Sequence, residues 1–200
     1  MVFTIGHSNQ SAEEFIALAK AHGVEAIADV RSAPYSRYNP QFDREALKES
    51  LRGAGMDYVY LGRELGARSE DAACYLKGKV QFERLAETEL FREGLARVRH
   101  GAARYRVALM CAEKEPMECH RSILVARRLV EQGVEVRHIL ADGSTETQGE
   151  MVERLMKALR MDADAGNLFV TREELVEDAY RMQEARIAFD WKFTAAGSAA

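Results

Sequence analysis

The sequence predicts an α/β fold: an open, mostly parallel five-stranded sheet with helices on both faces, Rossmann-like in its three layers, followed by C-terminal helices. Two observations carry that prediction. Through residue 140, short apolar runs rich in β-branched residues alternate with helix-length amphipathic stretches, and parallel strands need crossovers of that length. Beyond "ADGSTE" the apolar spacing becomes helical only.

Taken in order, "VFTIGHS" reads as the first strand, and Ser11 with Glu14 in "SAEE" has capping-box spacing for a helix through about Ala21. "EAIADVR" is a second strand, "DREALKESLRGAG" a helix closing on Gly, and "MDYVYLG" a third strand. "QFERLAETELFREGLARVR" is helical in two pieces, since Thr88 can cap a second start. "YRVALMC" and "VEVRHIL" are the fourth and fifth strands, joined by the helix "RSILVARRLVEQG", which stops at Gly133. Two further helices follow, "TQGEMVERLMKALRM" and "TREELVEDAYRMQEARIAF", the second opened by Thr171 and Glu174 at capping-box spacing. The expected organisation is an α/β domain over 1–140, a helical extension over 141–193 that packs on it or forms a homodimer contact, and a frayed tail over 194–200.

The chain has 200 residues, 47% hydrophobic and 30% charged, with a formal net charge of -4. A chain of this length buries roughly 70% of its unfolded surface, so folding requires no disulfide or structural metal. Its three cysteines are an odd number and not spaced as a secreted framework, which suits reduced thiols in the cytoplasm. The opening "MVFTIGHSNQ" does not read as a secretion signal, and no apolar run approaches the roughly 18–20 residues of a membrane span. The acidic balance argues against sequence-independent nucleic-acid binding. Yet "RSAPYSRYNP", "RELGAR" and "RVRHGAARYR" are locally basic and leave an anion-binding surface open.

The polar residues then fall into a pattern. His7 and Ser8 follow the first strand, Asp29 and Arg31 close the second, Gly62 and Glu64 follow the third, and Cys111 ends the fourth. All lie at carboxyl ends of predicted parallel strands, the edge where open α/β sheets bind ligands. "CHRSIL" places Cys119, His120 and Arg121 at a helix start, where free N–H groups favour an anion. Arg121 could grip a phosphate or carboxylate and Ser122 add a hydroxyl. The plainer alternative is that Ser122 or Cys119 caps the helix while Arg121 pairs with Asp29 or Glu113, and that Cys111 is a small buried hydrophobe.

Other chemistries are weighed on the same residues. Cysteine phosphatases and rhodaneses also set a strand-end Cys before an anion loop, but Cys111 and Arg121 are too far apart, with Glu113, Glu115 and Glu118 between them. Cys111, Cys119, His120 and His7 offer soft metal ligands, with Asp29 or Glu113 as hard ones. No pair has C-x2-C or H-x3-H spacing, and adjacent Cys119 and His120 rarely both reach one ion, so a metal is the minority reading; the sequence requires no cofactor and identifies none. In "DVRSAPYSRYNPQF", Arg31, Ser32, Ser36 and Arg37 supply donors, and Tyr35, Tyr38 and Phe42 either stack on a nucleotide or pack a rigid loop. Gly62 and Gly66 could let backbone approach a ligand.

"FTIGHSN", "DVRSAPYSRYNPQF", "YVYLGRELG" and "ALMCAEKEPMECHR", in this order, resemble the domain of unknown function 488 family, with similarity over about residues 2–140. The resemblance implies an α/β fold and motif positions His7, Asn9, Asp29, Arg31, Pro34, Arg37, Pro40, Leu61, Glu64, Leu65, Gly66, Cys111, Glu113, Cys119, His120 and Arg121. It implies no reaction.

The expected function is an enzyme, a hydrolase or transferase, acting on a phosphorylated, nucleotide-like or nucleic-acid substrate. Arg31, Arg37 and Arg121 would hold the anion, supported by Ser8, Asn9, Ser32, Glu64 and Ser122. His7 or His120 would transfer protons, Glu113 or Asp29 would act as base or orient a histidine, and Cys111 or Cys119 would be the nucleophile. Two alternatives remain: a non-catalytic module that senses an anionic or nucleotide ligand, and a ligand-free ion-pair network.

Overall fold

The computed structural model describes residues 1–161 and 170–191. The strands are β1 (Val2–Gly6), β2 (Ala26–Asp29), β3 (Asp57–Tyr60), the pair β4 (Tyr75–Leu76) and β5 (Lys79–Val80), β6 (Val107–Cys111), β7 (Val136–Ile139) and β8 (Thr145–Thr147). The main sheet has the order β3-β2-β6-β1-β7-β8. Its first five members are parallel, and β8 pairs antiparallel with β7. The five parallel strands are those expected, but among the described residues the sheet has six. Three residues of β8 are too few to show strand alternation in a sequence, and they lie beyond the expected domain end at 140. The β4–β5 pair was also unforeseen; it closes through Lys77 and Gly78, both at positive φ, the turn geometry that tight hairpins use.

The α-helices among the described residues are α1 (Ala12–Ala21), α2 (Arg44–Gly53), α3 (Gly62–Leu65), α4 (Phe82–Ala86), α5 (Glu89–Ala102), α6 (Arg127–Glu131), α7 (Gln148–Ala158) and α8 (Arg172–Ile187). Capping explains their starts. Ser11, Thr147 and Thr171 each close a full capping box, and Thr88 accepts from the Phe91 N–H, splitting α4 from α5 as its position suggests. Helix α6 is preceded by a stretch of wider π-type turn, Arg121–Ala126, and Gly133 at φ +77° follows it.

Alternation along β1 sorts the core. Phe3 and Ile5 pack with Phe15, Ile27, Phe42, Leu47 and Met110 on the face covered by α1 and α2. Val2 joins Ala28, Leu109, Leu95, Leu124, Leu155 and Tyr180 on the face covered by α5, the π-type turn, α7 and α8. The C-terminal helices therefore pack on their own sheet, with Ala179, Tyr180 and Gln183 of α8 buried. Beneath them runs a buried polar chain. The Thr4 hydroxyl donates to Nδ1 of His138 (2.8 Å), whose Nε2–H donates to the Gln148 side-chain carbonyl (2.8 Å), and the Gln148 amide donates to the Ser122 carbonyl and the Tyr180 hydroxyl. The expected tail over 194–200 lies outside the described residues.

Candidate functional site

The sheet register sets Gly6 beside Cys111 and Asp29 beside Met110, so the carboxyl ends of β1, β2 and β6 share one edge. Beyond Cys111 the chain must turn back sharply. Pro116–Glu118 form a 3-10 turn, with the Cys119 N–H donating to the Pro116 carbonyl. Arg121, wholly buried, donates from Nη1 to the Glu113 carbonyl (2.6 Å) and from Nη2 to the Lys114 carbonyl (3.1 Å). This staple folds Cys119 and His120 back onto the end of β6. Gly6 permits the fold: a Cβ there would lie 2.0 Å from the Glu113 carbonyl oxygen.

Four side chains meet as a result. Glu113 Oε2 lies 3.0 Å from Sγ of Cys111 and 3.0 Å from Sγ of Cys119. His120 turns Nδ1 towards the same sulfurs, at 3.7 and 3.9 Å, and donates from Nε2 to the Val30 carbonyl at 3.0 Å. Burial works against the Cys119 thiolate, but the Cys111 thiol donating to it and the charges of Arg121 and His120 prevail, and its pKa is held well below the usual thiol range. Burial pushes the Cys111 thiol the opposite way, reinforced by negative charge on Cys119 and Glu113. Burial likewise raises Glu113, together with the Cys119 charge. His120 is raised despite its burial, because it faces Cys119 and Glu113. The cluster thus shifts Cys119 towards its thiolate and His120 towards its imidazolium, and Cys111 and Glu113 towards their protonated forms.

Cys111, Glu113 and His120 open into a cleft of about 210 Å³, whose other walls are Arg31 to Ala33, Ala67, Arg68, Ala112, Glu118, Ile187 and Phe189. Over residues 11–128, more than half of the chain, the sequence matches the family model described as "Domain of unknown function DUF488". The chain belongs to the DUF488 family. No curated protein and no solved structure matches it.

In this DUF488 chain the remaining predicted residues divide by what they touch. Asp29 and Arg31 form a buried two-pronged ion pair, Nε to Oδ1 at 2.9 Å and Nη2 to Oδ2 at 2.7 Å. Arg31 Nη2 also donates to the Phe42 carbonyl and Tyr58 donates to Asp29. His7 stacks on Phe42 with ring centroids 4.1 Å apart. Its Nδ1–H donates to the Ser8 carbonyl, so Nε2 accepts from Arg31 Nη1 at 3.2 Å. Burial lowers its pKa to about 4, against the opposing effect of that carbonyl. His7 and Asp29 therefore sit in a structural network behind the cleft, whereas Arg31 contributes to its wall.

The anion grip expected of Arg121 meets a plain obstacle, since Nη1 and Nη2 hold two carbonyls, Nε is buried without a partner, and the group does not line the cleft. Ser122 is buried and 3.5 Å from His138, and neither it nor Cys119 caps the helix. Glu64 pairs with Arg97, Ser8 donates to Asn9, Asn9 and Arg37 are exposed, and none of these five lines the cleft. Ser32 does, with its hydroxyl accepting from the Arg68 N–H at 3.0 Å. Gly62 and Gly66 allow close backbone approach to the chain itself: a Cβ on Gly62 would lie 1.9 Å from the Arg31 carbonyl oxygen. Arg68, Ile187 and Phe189 were missed. Arg68 lies in one of the basic stretches, but its seat, 4.6 Å over the Phe189 ring, depends on a contact distant in sequence.

Proposed function

We propose that the chain is an enzyme, a hydrolase or transferase, that acts on a phosphorylated or nucleotide-like substrate bound at the carboxyl ends of the strands. One observation carries the reading: a single cleft joins a thiol, a carboxylate and an imidazole on its floor to two guanidinium groups on its wall. Arg31 keeps one Nη1 proton beyond those used on Asp29, Phe42 and His7, and Arg68 brings a second positive group. The cleft suits a phosphate-sized head rather than a whole nucleotide. The loop that leaves it through Ser32 and Ala33 carries Tyr35, Arg37 and Tyr38 exposed, a surface on which the rest of a nucleotide can stack. Glu113 is the group placed to move a proton at the floor.

The test is thermal unfolding against phosphate, nucleotides and short oligonucleotides, followed by turnover assays on whatever binds. A ligand at 100 times its Kd stabilises by about 2.7 kcal/mol, which at this size raises Tm by roughly 5–10 °C. Arg68→Ala is expected to remove most of that shift, and Glu113→Gln to spare binding while abolishing turnover. No shift with any of these ligands rejects the reading.

A further inference from the structure

Cys111, Cys119 and His120 are arranged more closely than a thiol-lined cleft requires. Their two sulfurs and Nδ1 lie within 4.8 Å of one another, with sulfur-to-nitrogen separations of 3.7 and 3.9 Å. A tetrahedral zinc ion, with Zn–S of about 2.3 Å and Zn–N of about 2.05 Å, sets sulfur-to-nitrogen edges of about 3.6 Å and a sulfur-to-sulfur edge of about 3.8 Å. Both sulfur-to-nitrogen separations already stand close to the edges of such a site.

A second observation is independent of those distances. The Val30 carbonyl can only accept, so His120 Nε2, 3.0 Å away, carries a proton, and Nδ1 is the nitrogen turned to the sulfurs. A metal-bound histidine is commonly oriented by its other N–H in this way. The Arg121 backbone N–H donates to Cys119 Sγ at 3.4 Å, a contact suited to a thiolate ligand. Glu113 Oε2, 3.0 Å from both sulfurs, stands where a fourth ligand or the partner of a bound water belongs.

We propose that Cys111, Cys119 and His120 bind a divalent transition metal ion, zinc by preference, with Glu113 beside a fourth position that opens to the cleft. Two thiolates and an imidazole select zinc over harder cations. Three protein ligands and one open position form the pattern of catalytic rather than structural zinc. Binding releases to solvent whatever protons the two sulfurs and Nδ1 of His120 carry, and changes no oxidation state. The ion also offsets the negative charge that Glu113 and Glu118 bring to a cleft otherwise suited to anions. The inference stands on ligand geometry and holds whatever the substrate is.

The full chain, reduced and stripped of metal with a chelator, is titrated with Co²⁺ and then Zn²⁺. The expected result is one Co²⁺ per chain with the intense visible bands of a tetrahedral site and thiolate-to-cobalt charge transfer, all removed by one equivalent of Zn²⁺. Cys119→Ala and His120→Ala should weaken binding beyond the roughly 10- to 100-fold typical of losing an outer-shell partner. Cys74→Ser, in the core away from the cleft, should leave it unchanged. Where a ligand variant does not fold, the wild-type spectrum decides: a pale octahedral spectrum without charge transfer overturns the proposal. Metal binding without any anion-dependent shift removes the substrate reading alone, and the reverse result removes the metal alone.

Discussion

Arg121 has no exposed surface, and its guanidinium holds the carbonyls of Glu113 and Lys114. Arg121→Ala leaves two acceptors without their partner and a void where the side chain lay. The expected cost is about 3–5 kcal/mol, read from urea unfolding at pH 7. His138 gives a second prediction. Burial, and then the charge of Arg121, lower its pKa to about 4. The unfolded chain takes up this proton as pH falls through about 6.5, whereas the folded chain takes it up only near pH 4, so stability is full above pH 6.5 and declines between these limits. The loss is at most about 3 kcal/mol. His7, lowered to about 4 chiefly by burial, adds a slope of the same sign. His138→Gln should flatten the pH dependence of unfolding; an unchanged slope would show that His138 is not its source. That His7, Cys111 and Arg121 lie at one edge was legible in the order of strands and polar residues. What each side chain touches was not, because a buried arginine on a carbonyl and one facing a ligand have the same local sequence.

Elements formed from local signals were the most legible. The Ser11–Glu14 and Thr171–Glu174 boxes and the Thr88 cap are read within a few residues and appear in the fold at those places. β8 and the β4–β5 pair were not legible, because strands of two or three residues are stabilised by their partner and not by a run of their own. The π-type turn Arg121–Ala126 is likewise set from outside, by the Arg121 staple and the Ser122 carbonyl accepting from Gln148. At this scale the decisive joint is between the end of β1 and the loop after β6. Gly6→Ala would drive a Cβ into the Glu113 carbonyl, against backbone that Arg121 already holds. A destabilisation of about 3 kcal/mol or more is expected, along with loss of Co²⁺ binding at the cleft. Gly53→Ala, whose Cβ meets nothing within 4 Å, is the control and should leave both measurements unchanged.

Helix α8 ties the far end of the described chain to the cleft. Gln183 donates to the Met117 carbonyl at 2.7 Å, Glu184 accepts from the Phe82 N–H at 2.7 Å, and Ile187 and Phe189 then form one cleft wall. Two kinds of contact could hold it there. The ion pairs Arg127–Glu177 and Arg172–Glu153 involve acids more than half exposed, at 52% and 51%, and such pairs contribute roughly 0–1 kcal/mol and weaken in salt. Tyr180, by contrast, is 6% exposed, hydrogen bonds with Gln148 at 2.8 Å and lies under Arg127, so its burial should dominate. Tyr180→Ala is expected to cost about 3–5 kcal/mol and to speed amide exchange across Arg172–Ile187 while β1 and β6 stay protected. Raising the salt to about 0.5 M, where the Debye length is about 4 Å, should leave the wild-type helix as protected as before. If salt alone releases α8, the ion pairs hold it and burial does not. If Tyr180→Ala does release it, the cleft loses its Ile187–Phe189 wall and Arg68 its seat, and anion binding should fall with exchange protection.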